Sequence, residues 1–401
     1  MSGIMEVTDG TVGTNNELPE NNGQALIKVI GVGGGGGNSV QHMIEEKVAG
    51  VTFYACNTDL QALNANTAEH RIQIGVSTTR GLGSGSNPEV GRLAAEESRD
   101  VIKEQVGKCD IVFLTAGMGG GTGTGATPVI ANIMRKELKA LTVAIVTKPF
   151  SFEGKKQRLK AEAGIEKLRA EVDALVVIPN DKLINGENLS LIAAFNECND
   201  VLMRAVKGLS SLVTKGGYMN LDFNDVKTIL EASGSALIGM GSGRGENAVD
   251  DAVQAAIHSP LLDSIQNCHA RGLLANVCVS TGFTISEYNR LGEILQSYVN
   301  DDTDVKYGVT IDSNIDDDVV NVTVLMSGIE PKDKAQQEAQ AQTQPQVQAQ
   351  PVEPQQNSIF GGFVQSQQEP QPQQPAKPAP ANPFAATTDV DLPGFLIKKA
   401  D

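Results

Sequence analysis

The chain has 401 residues, a formal net charge of -16 and 40% hydrophobic residues, enough for two domains and a tail, and its acidity argues against non-specific nucleic-acid binding. No run reaches the apolar length of a membrane span, and the N-terminus lacks the basic and hydrophobic regions of a signal peptide, so a cytoplasmic protein is expected. Its 5 cysteines form no Cys-x-x-Cys pair and its 4 histidines no zinc spacing, which predicts free buried thiols and surface imidazoles.

Residues 1–24 are polar, without periodicity, and read as a disordered leader. Ala25 to Val32 is a short apolar strand running into Gly31-Val-Gly-Gly-Gly-Gly-Gly37-Asn38, where Gly31, Gly33 and Gly36 satisfy a dinucleotide fingerprint and Ser39 to Val48 reads as the following helix. After a second strand, Val51 to Asn57, Asp59 lies about where a ribose-binding acid is expected, so an NAD-dependent dehydrogenase is a rival reading here. Another glycine loop, Gly81 to Pro88, opens a helix with Asn87 as N-cap and Pro88 in the first turn.

Asp110 to Thr115 is an unbroken apolar strand, and Ala126 to Lys139 carries apolar residues at helical spacing. Between them, Gly117 to Gly125 leaves bare main-chain N–H groups and two threonine hydroxyls at a helix N-terminus, which favours negative charge. Three glycine loops offer more donors than one pyrophosphate needs, and a nucleoside triphosphate suits them better. The loop lysine of the P-loop pattern is absent, so the backbone and a metal must neutralise the phosphates.

Strands at Leu141 to Thr147 and Ala174 to Pro179 alternate with a helix at Lys155 to Arg169, giving an α/β fold with a Rossmann-like parallel sheet and helices on both faces. Leu191, Phe195, Cys198, Leu202, Val206, Leu209 and Val213 then recur at helical spacing, predicting one long central helix that Gly216-Gly217 stops. Helices near 225–232, 246–258 and 287–299 and strands near 276–283, 305–312 and 319–327 predict a second, smaller α/β domain. Pro331 to Thr388, rich in Gln, Pro and Ala, reads as a disordered linker, and Asp389 to Asp401 as a short docking peptide. The expected divisions are 1–24, 25–189, 190–215, 216–330, 331–388 and 389–401.

The run Gly-Gly-Gly-Thr-Gly-Thr-Gly within Gly117 to Gly125 resembles the signature of the FtsZ family, the bacterial tubulin-like division GTPases. Gly33 to Asn38, Asn57-Thr-Asp59, Gly81 to Pro88, Lys148 to Lys156 and Asn180-Asp-Lys182 resemble its nucleotide-site motifs in order. Asn220 to Asp225 is similar to its synergy loop, and Asp389 to Asp401 to its C-terminal peptide.

The resemblance implies a GTPase that binds GTP or GDP with Mg²⁺. Gly34, Gly35, Gly36, Gly37 and Asn38, with Gly121, Thr122 and Gly123, would hold the α and β phosphates; Gly85, Ser86 and Asn87 would lie near the γ phosphate. Asn57 and Asp59 would lie by the phosphates and Mg²⁺, Glu153 by the nucleoside, and Phe195 and Asn199 at the guanine. Gln157 stands where the family commonly has arginine, and Arg158 is turned from it by about 100°, so that role is not carried over. Asn220, Asp222 and Asp225 would enter the nucleotide site of the next subunit, although Asp222 and Asp225 also make a good helix start by themselves. A head-to-tail homopolymer, a cytokinetic ring at the midcell septum and membrane-tethering adaptors bound through Leu392, Phe395 and Leu396 follow from the same resemblance, with no direct membrane insertion.

Overall fold

The computed structural model describes residues 25–184, 190–214, 221–231, 233–262, 268–300, 302–312 and 315–331. The expected leader, the Gly216-Gly217 stop, Asn220, the linker beyond 331 and the docking peptide with Leu392, Phe395 and Leu396 lie outside the described residues.

The first half alternates strands and helices: β1 (Ile27–Val32), α1 (Gly33–Glu45), β2 (Thr52–Asn57), α2 (Leu60–Ala65), β3 (His70–Gln73), α3 (Val76–Thr79), α4 (Pro88–Glu97), α5 (Arg99–Val106), β4 (Ile111–Gly117), α6 (Thr122–Asn132), β5 (Leu141–Lys148), α7 (Lys155–Arg169) and β6 (Ala174–Pro179). A long helix, α8 (Leu191–Thr214), leads to α9 (Phe223–Leu230), β7 (Gly234–Arg244), α10 (Ala248–Ile257), β8 (Cys268–His269), β9 (Gly272–Val279), α11 (Ile285–Ser297), β10 (Asp304–Ile311), β11 (Val319–Ser327) and β12 (Glu330–Pro331).

Among the described residues, ten strands form one sheet in the order β3-β2-β1-β4-β5-β6-β7-β11-β9-β10. Pairing is parallel except at β11, which runs antiparallel to both β7 and β9. The second group of strands therefore continues the first sheet, through Ala174↔Gly234, Leu175↔Ser235 and Val176↔Ala236. Alternation along β4 sends Ile111 and Phe113 to one core and Val112, Leu114 and Ala116 to the other. Helices α1, α8 and α9 cover the first face, and α4 to α7 the second.

β7 escapes the sequence reading because Gly239, Gly241 and Gly243 alternate along it. A Cβ on each would lie 2.1, 2.2 and 2.0 Å from the carbonyl oxygens of Ala256, Ala252 and Ala248 respectively. Two strand residues advance about 6.8 Å and four helix residues about 6 Å, so the two repeats stay in step and α10 lies directly on the strand backbone. The helix expected over Ala126 to Lys139 begins earlier, at Thr122, and its last part widens into a π-helical turn at Ile133–Glu137.

Candidate functional site

Strand order reverses between β1 and β4, and ligands of open α/β sheets bind outside the carboxyl ends of the strands at such a point. Both helices that follow these strands start there, and neither N-terminus has a side-chain cap. Their first-turn N–H groups are therefore available to an anion. Gly34 and Gly35 are exposed, and a Cβ on Gly34, Gly120 or Gly85 would meet no atom within 4 Å, so these three face open space.

Other glycines of the expected cradle exist for packing. A Cβ on Gly36 would lie 2.3 Å from Thr115 O, and one on Gly123 2.6 Å from Gly117 O. The carbonyl of Gly37 accepts from Asn66 Nδ2 at 2.8 Å, while Asn38 is exposed beside it. Gly121 is covered by the loop before α4, its hypothetical Cβ being 2.2 Å from Ser84 Oγ. The Thr122 hydroxyl is buried against protein: its Oγ1 lies 2.7 Å from Thr58 Oγ1 and 3.0 Å from Ser84 Oγ.

Asn57 is buried and its Oδ1 accepts from the N–H of Asp59 at 3.3 Å. Asp59 caps α2, its Oδ1 accepting from Gln61 N at 2.9 Å and Ala62 N at 3.1 Å. The loop that follows α3 holds Arg80, Gly81, Gly83, Gly85 and Ser86 at positive φ, and two of these are not glycine. Lys160 of α7 donates from Nζ to the Ser86 carbonyl at 2.5 Å. Asn87 caps α4 as expected, with Oδ1 accepting from Glu89 N at 3.0 Å and Pro88 in the first turn.

At the other side of the crevice the first turn of α8 departs from simple core packing. Cys198, Leu202, Val206 and Leu209 are buried, but Leu191 and Phe195 are 60% and 42% exposed. Phe195 stands edge-on to buried Phe150 at 5.3 Å between centroids, and Phe150 stacks on exposed Phe152. Glu153 closes a short turn before α7 and accepts the Phe150 N–H at 2.9 Å. Asn199 Oδ1 lies 2.9 Å from Ser39 Oγ on α1, and His42 Nε2 lies 2.6 Å from Asp200 Oδ1, which corrects the surface reading of that imidazole. Cys198 is buried beneath, its thiol pushed up to about 12 by desolvation. Gln157 Oε1 is buried without a hydrogen-bond partner, whereas Arg158 is exposed and reaches Ser151 Oγ at 3.4 Å.

Asp222 and Asp225 lie far from these loops. Asp222 is the N-cap of α9, its Oδ1 accepting from Asp225 N at 2.7 Å, and Asp225 Oδ1 is 3.3 Å from Lys306 Nζ near the start of β10. Helix α8 begins beyond the carboxyl end of β6, and its 24 residues span about 36 Å back toward the amino ends of the strands. The glycine loops and the two carboxylates thus lie toward opposite ends of the strands, the loops at the carboxyl ends and the carboxylates toward the amino ends.

Thr58, Ser84, Lys160 and Ser39 were not singled out in the sequence. The Gly-Ser-Gly-Ser alternation before Asn87 was a usable signal for Ser84; Lys160 had none, because its reach to the loop is purely tertiary. Among the described residues no group of three or more His, Cys, Asp or Glu could hold a metal, and no helix is long and apolar enough to cross a membrane.

Residues 26–188 match the family model of the Tubulin/FtsZ family GTPase domain, and residues 234–330 that of the FtsZ family C-terminal domain. The chain is 47% identical over 315 residues to the cell division protein FtsZ of Buchnera aphidicola subsp. Baizongia pistaciae, covering 78% of this chain and 81% of the relative. It is 48% identical over 316 residues to that of Coxiella burnetii, again covering 78% and 81%. Among solved structures, an empty FtsZ dimer of M. jannaschii superposes with a TM-score of 0.72 at 40% identity, over 77% of this chain and 93% of that one. The GTPγS-bound CetZ2 protofilament of Haloferax volcanii, 20% identical with a TM-score of 0.65 over 79% and 100%, shares the fold.

Proposed function

The chain belongs to the FtsZ family and carries its tubulin-like GTPase domain, and on that premise we propose that it hydrolyses GTP in a site completed by the next copy. The observation that carries this reading is the separation just described. The crevice at the switch point has donors for phosphates, while Asp222 and Asp225 follow the far end of α8, a helix about 36 Å long, and in this reading serve a site only in trans. A contact that joins the carboxyl-end face of one copy's strands to the amino-end face of the next copy's is head-to-tail and does not close, so it builds a filament.

In this reading the N–H groups of Gly34 to Asn38 and Gly121 to Gly123 bind the α and β phosphates, and the loop at Gly85, Ser86 and Asn87 closes on the γ phosphate. Phe195 offers an exposed ring to the guanine, Asn199 its edge contact, and Glu153 a carboxylate at the nucleoside. Asp222 and Asp225 of the next copy, with Asn220, orient water for in-line attack on the γ phosphorus; the bond to the β–γ bridging oxygen breaks and GDP leaves.

Mg²⁺ keeps most of its ligands as water and phosphate oxygens and needs one or two carboxylates. The described residues fit that demand: Asp59 Oδ1 is used in capping, and Oδ2 has no hydrogen-bond partner among them. Asp59, with Asn57 beside it, would hold the ion, which supplies charge neutralisation that no P-loop lysine provides.

The same reading divides the chain at 25–189, 190–215 and 216–330 and assigns residues 389–401 to a membrane-tethering division adaptor, with filaments forming the ring at the septum. The testing experiment follows GTP turnover and light scattering together over a protein titration. Specific activity that rises steeply with concentration, in step with scattering, supports the reading; a flat dependence overturns it.

A further inference from the structure

Three hydroxyls meet where three loops of the crevice converge. Thr58 Oγ1 is 2.7 Å from Thr122 Oγ1, and Thr122 Oγ1 is 3.0 Å from Ser84 Oγ. The distances leave the direction of donation open, and a count of hydrogens fixes it. Thr58 is 0% exposed, and among the described residues its hydroxyl has no other partner than Thr122. A buried hydroxyl without an acceptor is costly, so Thr58 donates to Thr122. Thr122, 7% exposed and already accepting from Thr58, has one hydrogen of its own, and Ser84 Oγ is the acceptor within reach. Ser84 accepts that bond, and its own hydrogen has no protein acceptor among the described residues.

Ser84 is half-buried and lies over Gly121, whose hypothetical Cβ would be 2.2 Å from its Oγ, in the loop that continues to open-faced Gly85. We propose that Ser84 is a phosphate-binding residue, its hydroxyl the outer end of a Thr58–Thr122–Ser84 relay that donates to the γ phosphate of the bound nucleotide. Each hydroxyl in such a chain polarises the next, so the terminal donor is stronger than an isolated serine, and an anionic acceptor strengthens it further. The bond exists only with a triphosphate. Ser84 therefore sets the preference for GTP over GDP and signals the presence of the γ phosphate to the buried link between the loops at Thr58 and Thr122. The proposal rests on the guanine-nucleotide reading of the site.

The test measures binding of GDP and of a non-hydrolysable GTP analogue to the full-length protein and to Ser84→Ala and Ser84→Thr, with thermal melts of the nucleotide-free proteins. Ser84→Ala is expected to lose about tenfold in affinity for the analogue, as one charge-assisted hydrogen bond implies, with GDP affinity unchanged and a modestly lower melting temperature because the buried Thr122 hydroxyl loses its acceptor. Ser84→Thr, which keeps the hydroxyl, is expected to retain most of the preference. Equal weakening toward both nucleotides, or none toward either, overturns the proposal while leaving the guanine-nucleotide reading intact. A wild-type protein that binds neither nucleotide overturns both.

Discussion

Asp222 accepts the backbone N–H of Asp225 through Oδ1 at 2.7 Å, which holds both carboxylates on the rigid first turn of α9. One residue thus has a capping duty and a proposed catalytic one, and substitution separates them. Asp222→Asn keeps an amide oxygen for the cap and removes the charge. Turnover is expected to fall about 10²-fold or more, with GTP binding and stability near wild type. Asp222→Ala loses the same turnover and also about 1 kcal/mol of stability. Wild-type turnover in Asp222→Asn would return the residue to capping alone.

Asp225 is oriented from its other side by Lys306, whose ammonium it holds above the usual lysine range through a hydrogen bond and charge. The pair is partly exposed and screened by solvent, so Lys306→Met is expected to leave a denaturant melt nearly unchanged. Turnover at saturating GTP should drop severalfold, because Asp225 loses its fixed rotamer. Loss of stability with normal turnover would make the pair structural only.

Glycines of the same composition have opposite duties, and paired alanine substitutions reveal which. Gly241→Ala places a Cβ 2.2 Å from Ala252 O and must lift α10 from β7, an overpacking cost of about 3 kcal/mol. Gly34→Ala meets nothing within 4 Å, so stability is expected to hold while the methyl group obstructs the phosphate crevice and GTP affinity drops about tenfold or more. Equal destabilisation by both changes would contradict this division.

This difference also explains what the sequence made legible. The parallel sheet, the glycine loops, the Asn87 and Asp222 caps and the α7 limits were readable because apolar period, cap chemistry and glycine spacing are local signals. β7 was missed because its alternating glycines answer to the α10 backbone across space, and a strand without side chains on one face has no apolar period. Exposure of Leu191 and Phe195 was equally hidden: their helical spacing is that of buried Cys198 and Leu202, and only the end of the sheet decides where burial stops. The Thr58–Thr122–Ser84 contact joins positions 64 and 38 residues apart, beyond any local pattern.

Helix α3, which leads into the loop that carries Ser84, is held by Glu97, which accepts from the Thr78 hydroxyl and from the N–H groups of Ser77 and Thr78. These bonds, the Thr78 hydroxyl first, hold its carboxyl down at about 2, below an ordinary value of 4.5. Because the folded value is the lower one, the stabilisation is full above about pH 4.5 and is lost as pH falls from there toward 2. Thermal melts should show wild type more stable than Glu97→Gln at pH 6, with the gap closing at pH 3. A gap that does not change with pH would remove Glu97 from this role.

Completion of one copy's crevice by the next copy's acids is tested most directly by mixing two variants, Gly34→Ala with its acids intact and Asp222→Asn with its crevice intact. Each alone should turn over GTP slowly. Mixed in equal amounts above the assembly threshold, they should regain up to about a quarter of wild-type activity, the share of contacts that join an intact crevice to intact acids. A mixture no more active than the mean of its components would contradict a site built from two copies.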